Sequence, residues 1–258
     1  MDMAGKVALV LGASAEGGTG WATAEMLAAR GAKVVVAARR EAPIKKLANK
    51  IGGHGVVCDA GSEAQISTLV QETLTTYGKI DLAVNCAFAQ ADGFIRNVDD
   101  AAMRASFDVN FFGHVYFIRH VAEAMNPGGA ITLISSFAAH QPVYARTAYG
   151  CGKAAMDSLV RYAAVEYGPQ GIRVNSILPG PIKTVAATYL FEQPGMEEAF
   201  CREIPLGRVG EPEDFAETII NLYHSSYITG VNLHASGGMH MNRVPRPEEM
   251  PSKLAQLD

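Results

Sequence analysis

Val7-Ala8-Leu9-Val10-Leu11-Gly12-Ala13-Ser14-Ala15-Glu16-Gly17-Gly18-Thr19-Gly20-Trp21 is the stretch whose reading decides the fold. Lys6 to Leu11 reads as the first strand, and its apolar run from Val7 to Leu11 is short. Gly12 ends it, and an amphipathic segment from Trp21 to Arg30 follows the glycines. Glycines let a backbone turn sharply and approach a ligand closely, and a helix N-terminus offers unbonded N–H groups and partial positive charge. A glycine turn alone is only a loop. Between a strand and a helix it is a site for a nucleotide pyrophosphate.

The same alternation continues outward. Lys33 to Ala37 precedes Pro43 to Lys50, and Val56 to Cys58 precedes Glu63 to Tyr77. Further strands are expected at Leu82 to Val84, Ala130 to Ile134, Arg173 to Ile177 and Val231 to His234. Helices are expected over Asp99 to Met125, Ala148 to Glu166 and Glu213 to Tyr223. Strand and helix in repeated turn predict an α/β chain, doubly wound on a mainly parallel, seven-stranded sheet. Ser62-Glu63-Ala64-Gln65 reads as a capping box, and Pro212-Glu213-Asp214 as a first helical turn. The reading is one domain over residues 1–258, with a loosely ordered tail from 242 to 258 rich in Pro and Glu.

Composition narrows the function. Apolar residues form 48% and charged residues 19% of the 258, with a net charge of −4. That is a globular composition without the basic excess that recruits nucleic acid or anionic membranes. Cys58, Cys86, Cys151 and Cys201 lack zinc or disulfide spacing, which points to a reduced, cytoplasmic setting. No apolar run is long enough for a signal or a membrane span. His114, His120 and His140 lack ligand spacing, so no metal site is expected.

Tyr149 and Lys153 stand four residues apart, on one face of a predicted helix. A nearby cation favours a phenolate, so Lys153 is expected to bring the Tyr149 proton towards working pH. Tyr149 then protonates a carbonyl oxygen, or deprotonates an alcohol, while Ser136 holds that oxygen. None of these groups carries electrons, so a redox reaction needs a cofactor. After the second strand, where a carboxylate would select a free ribose hydroxyl, the chain has Arg39 and Arg40. They suit a 2′-phosphate, and hence NADP(H) over NAD(H); the alternative is two solvated surface arginines.

Together these residues resemble the short-chain dehydrogenase/reductase family over about residues 4 to 240. The resemblance implies a Rossmann-type fold and hydride exchange with a nicotinamide cofactor. The family's glycine pattern appears at Gly12, Gly18, Thr19 and Gly20 with two extra residues inside it, and Ser14 in the lengthened turn is a further expected contact. The resemblance assigns Asp59 to the adenine amino group, although a turn or cap role is the alternative. Asn85-Cys86-Ala87-Phe88 stands for the family's Asn-Asn-Ala-Gly, keeping Asn85 and Ala87 and putting a large ring at Phe88. Asn110 takes the place of the family's relay asparagine, Ser136, Tyr149 and Lys153 those of its catalytic serine, tyrosine and lysine. Pro179, Gly180, Ile182 and Thr184 fall in its nicotinamide-binding segment. Gly150 and Gly152 permit close approach of other groups to the catalytic helix.

By the same resemblance, residues 184–206 form a lid over the substrate. Tyr189, Leu190, Phe191 and Met196 make that lid apolar, and Phe137, His140 and Tyr144 are expected on the opposite wall. This implies a medium to large apolar ketone or secondary alcohol; packing on a neighbouring subunit is the other use of such residues. Surplus apolar side chains on Phe107 to Val121 and Ala148 to Tyr162, helices that the family pairs across a dimer, imply a homo-oligomer, namely a tetramer. Two other functions stay open. An enoyl reductase is suggested by the lengthened glycine turn, and a nucleotide-sensing binding protein would keep the fold without turnover.

Overall fold

The computed structural model describes residues 2–187 and 191–250. Seven strands, β1 Val7–Leu11, β2 Lys33–Ala38, β3 His54–Val57, β4 Leu82–Asn85, β5 Ala130–Ile134, β6 Arg173–Pro179 and β7 Asn232–Ala235, form one sheet. The order is β3-β2-β1-β4-β5-β6-β7, with every neighbouring pair parallel. Helices α1 Thr19–Ala29, α2 Glu41–Ile51 and Pro212–His224, numbered α8 in chain order, cover one face. The other carries α3 Glu63–Tyr77, α5 Gly113–Ala124 and α6 Thr147–Tyr167. The expected doubly wound, seven-stranded architecture is what the chain adopts.

Strand alternation explains why both faces close. Leu9 and Leu11 pack with Ile66, Phe117 and Met156 on one side, whereas Ala8 and Val10 pack with Trp21, Leu27 and Ile219 on the other. A strand covered on both faces reads as a continuous apolar run, which is why all five β1 residues are buried. Each fully buried Leu, Ile or Phe contributes about 1.5–3 kcal/mol, far above any local propensity difference.

The sheet order reverses between β1 and β4, where ligands bind in open α/β sheets. Gly12 leaves β1 there at φ 87°, and a Cβ would lie 2.5 Å from the Ala87 nitrogen. Only glycine lets the two chains leave the switch point so close together.

Some boundaries differ from the sequence expectations. The helix expected over Asp99 to Met125 divides into α4 Asp100–Phe107, a π-helical turn Asp108–Phe112 and α5. Helix α2 begins two residues before Pro43, because first-turn N–H groups have no intrahelical partner for proline to remove. Half of the Ser62 capping box forms: Ser62 accepts from Gln65 N, while Gln65 Oε1 reaches Asp59 N at 2.8 Å instead of its own cap. Within the expected tail, residues 242–250 include a 3-10 turn Pro247–Glu249, Arg243 pairs with Glu203 at 2.9 Å, and Val244 and Met250 pack on the apolar cluster of Met196, Phe200 and Met239. Residues 251–258 lie outside the described residues.

Candidate active site

Strand β5 delivers Ser136, and helix α6 delivers Tyr149 and Lys153. Ser136 is buried at the start of a 3-10 turn, Phe137–Ala139, and its Oγ accepts from Ala138 N at 3.1 Å. Its hydroxyl stands beside Tyr149 on the wall of one cavity and favours the phenolate. Helix α6 approaches this turn closely: a Cβ on Gly150 would lie 2.9 Å from Ala138 O, and one on Gly152 would lie 3.2 Å from the Asn110 Cβ. The two glycines thus do what their positions in the sequence suggested.

Lys153 is 1% exposed, and its Nζ donates to Ile134 O at 2.7 Å. The ammonium lies 5.9 Å from the centre of the Tyr149 ring. Burial drops the Lys153 pKa from 10.5 to about 8, against the attraction of Asp157 one turn further along. Tyr149 does not follow the expectation drawn for it. Burial pushes its phenol above the usual value, and the Ser136 hydroxyl and the Arg146 cation, rather than Lys153, oppose that rise. The reason is geometric: Nζ is anchored to the β5 carbonyl and faces the ring, not a bond to the phenol oxygen.

Asn110 sits fully buried in the π-helical turn, where such bulges often mark functional positions. Its Nδ2 donates to Ala89 O at 2.6 Å and to Ser106 Oγ at 2.9 Å, and its Oδ1 accepts from Ala89 N at 3.3 Å. The side chain therefore clamps the loop after β4. Asn85 Oδ1 accepts from Ala87 N at 2.9 Å, whereas its buried Nδ2 has no partner among the described residues.

A cavity of about 310 Å³ runs along this carboxyl edge. Gly12, Gly18, Thr19 and Gly20 line one end, Ser136, Tyr149 and Lys153 the middle, and Pro179, Gly180, Ile182 and Thr184 the wall after β6. The two Lys153 donors left beyond Ile134 O and the glycine turn at the α1 N-terminus fit a nicotinamide dinucleotide, whereas Asn85 is fully buried and does not line the cavity. Past the cavity, Arg39 is exposed and makes no hydrogen bond or ion pair among the described residues. Arg40 instead holds Ser14, with Nε 3.2 Å from Oγ and Nη2 2.9 Å from the carbonyl. Ser14 is thus engaged by the protein and stands off the cavity wall. Glu16 pairs with Lys46 at 2.6 Å, which lowers its pKa and offsets its charge. Asp59 Oδ1 accepts from Gly61 N at 3.0 Å, so the turn role weighed for it is present.

The expected substrate wall is only partly met. Phe137 lines the cavity, but His140 turns away because its Nε2 meets the buried Asp157 Oδ2 at 3.0 Å and its ring packs edge-on to His234. Tyr144 is half exposed and packs edge-on to Phe94. Tyr189 and Leu190 lie outside the described residues. Phe88, Phe191 and Phe200 do face the cavity, and α7, Met196–Glu203, builds an apolar cluster around Met196, Phe200 and Met239. Gln90, Val143 and Arg146 also line the cavity, and the sequence reading missed them. They belong to irregular loops and a helix cap, where no periodicity signals which way a side chain faces.

A glycine turn at the sheet switch point, with serine, tyrosine and lysine gathered along the same edge, defines an oxidoreductase of the nicotinamide-binding α/β class. The comparisons make the assignment narrower. A family model described as enoyl-(acyl carrier protein) reductase matches residues 12–240, and the chain belongs to the short-chain dehydrogenase/reductase family. Carbonyl reductase family member 4 of Xenopus tropicalis is 31% identical over 239 residues, covering 92% of this chain and 98% of the relative. A short-chain type dehydrogenase/reductase from Mycobacterium ulcerans superposes with a TM-score of 0.92 at 29% identity, covering 100% of both chains. A variant of actinorhodin polyketide ketoreductase with NADPH superposes with a TM-score of 0.83 at 26% identity, covering 91% of this chain and 97% of that one.

Proposed function

We propose that the chain interconverts a ketone and a secondary alcohol, with NADP(H) preferred over NAD(H), on a medium to large apolar substrate. The carrying observation is the Ser136–Tyr149–Lys153 set in the middle of a largely apolar cavity. The bound cofactor supplies the hydride. Ser136 orients the carbonyl oxygen, with Oγ steadied by Ala138 N. Tyr149 gives that oxygen its proton in reduction and takes one from the alcohol in oxidation. Lys153, still mostly protonated near pH 7 with a pKa of about 8, uses its free donors on the ribose and remains a cation beside the tyrosine. Asn110 holds the loop that forms the neighbouring wall.

The cofactor preference rests on Arg39, exposed and uncommitted after β2, with Glu16 neutralised by Lys46. The apolar substrate rests on Phe88, Phe137, Phe191 and Phe200. A homotetramer is part of the proposal: Phe112, Tyr162 and Val165 expose 44%, 67% and 77% of their surface around the helices expected to pair. A cytoplasmic setting suits four free thiols, and no helix among the described residues is long and apolar enough to cross a membrane. Enoyl reduction is the second reading, favoured by the lengthened glycine turn; the four-residue Tyr149–Lys153 spacing and Ser136 beside Tyr149 on the cavity wall favour the carbonyl. Following NADPH and NADH consumption with bulky ketones, enones and small hydroxy-acid precursors is the test. Oxidation of NADPH with bulky ketones is expected. Turnover with enones alone, or none at all, overturns the proposal.

A further inference from the structure

Arg146 has no part in the reaction as described, yet it shares a cavity with Tyr149 and stands three residues before it. Its guanidinium is paired with Asp92 at 2.7 Å; Arg146 is 23% exposed and Asp92 68%. The backbone is unusually committed to this pair. Ala145 adopts φ 55°, a left-handed conformation taken by no other non-glycine residue among those described. Gly93 N donates to Ala145 O at 2.9 Å, and Gly93 itself sits at φ 141°, where a Cβ would lie 2.9 Å from the Val98 backbone. Strain of this kind persists where the surrounding structure imposes it, and it gathers at functional sites.

We propose that Arg146 and Asp92 together set how readily Tyr149 releases its proton: the guanidinium stabilises the phenolate, and Asp92 limits that effect by drawing off part of its charge. The inference rests on Tyr149 being the acid of the proposed reaction. Other groups around the ring do not supply this balance. Lys153 is held on Ile134 O, Ser136 contributes a neutral hydroxyl, and the Cys86 thiol is buried with its pKa pushed up to about 12. Asp157 acts on Lys153 rather than on the phenol, and the buried His114 is held neutral by burial and by the Lys153 charge. The direction of the Tyr149 shift agrees, since Arg146 is the cation that opposes the effect of burial.

The pair makes a prediction that a structural role does not. Arg146→Gln removes the cation and moves the Tyr149 titration up. Asp92→Asn frees the cation and moves it down. Arg146→Lys keeps a cation and stays nearer to the wild type. The titration is read in the unliganded protein by nuclear magnetic resonance of ring-labelled tyrosine, the Tyr149 line being the one missing from Tyr149→Phe. Opposite shifts in Arg146→Gln and Asp92→Asn are expected, with the same order in the pH profile of turnover. Shifts of both variants in one direction, or none in either, overturn the inference. Failure of the proposed reaction would appear separately, as absence of turnover in the wild type whatever the titrations show.

Discussion

Lys153→Met is expected to make the protein more stable while removing its activity. A lysine buried to 1% exposure whose pKa falls from 10.5 to about 8 carries a charge that folding disfavours. At ~1.36 kcal/mol per pH unit that gap amounts to about 3 kcal/mol. The sign is fixed by linkage. Between pH 8 and 10.5 the unfolded chain still holds the lysine proton and the native protein has released it, so stability rises with pH in that window. Below it both states are protonated and the full penalty remains. Methionine, one atom shorter, fills most of the same space without a charge, but gives up the 2.7 Å hydrogen bond to Ile134 O, a loss of about 1 kcal/mol. The variant should therefore gain about 2 kcal/mol at pH 7, or roughly 4–8 °C in melting temperature. The gain should vanish, and slightly reverse, as the pH approaches 10.5. Urea unfolding of both proteins across this range measures it. A Lys153→Met protein that is less stable at pH 7, or an advantage that does not shrink with pH, would refute the reasoning.

Gly12→Ala is expected to cost at least about 2 kcal/mol, since it adds left-handed strain to a contact of 2.5 Å with the Ala87 backbone; thermal unfolding checks this, and wild-type stability would contradict it. Tyr149→Phe should keep cofactor affinity, read by fluorescence titration, and lose most turnover, because the ring stays and the proton donor goes. Arg39→Ala should raise KM for NADPH roughly tenfold more than KM for NADH, in line with about 1.5 kcal/mol for one charge-assisted hydrogen bond; equal losses would reduce Arg39 to a residue that stacks on adenine. Light scattering at micromolar concentration should give a mass near four chains, and a monomer would leave Phe112, Tyr162 and Val165 as plain surface.

The alternation of short apolar runs with amphipathic segments determined the layer architecture, because strand and helix periodicities depend only on local geometry. Glycine at position 12 and the Tyr149–Lys153 spacing were legible for the same reason: one reflects a backbone angle, the other the pitch of one helix. Other features depended on what arrives from elsewhere in the chain. His140 was expected on the cavity wall until Asp157, 17 residues away, turned it aside. Arg146 entered the site through Asp92, 54 residues earlier, and through a left-handed turn at Ala145 that propensity disfavours. The tail read as loose because its own composition offers little to bury, yet Val244 and Met250 found the apolar cluster of Met196 and Phe200. Burial decided the chemistry too. Sequence shows that a lysine and a tyrosine are neighbours, but their proton affinities follow from how much water the fold removes and which distant carbonyl, hydroxyl or cation replaces it.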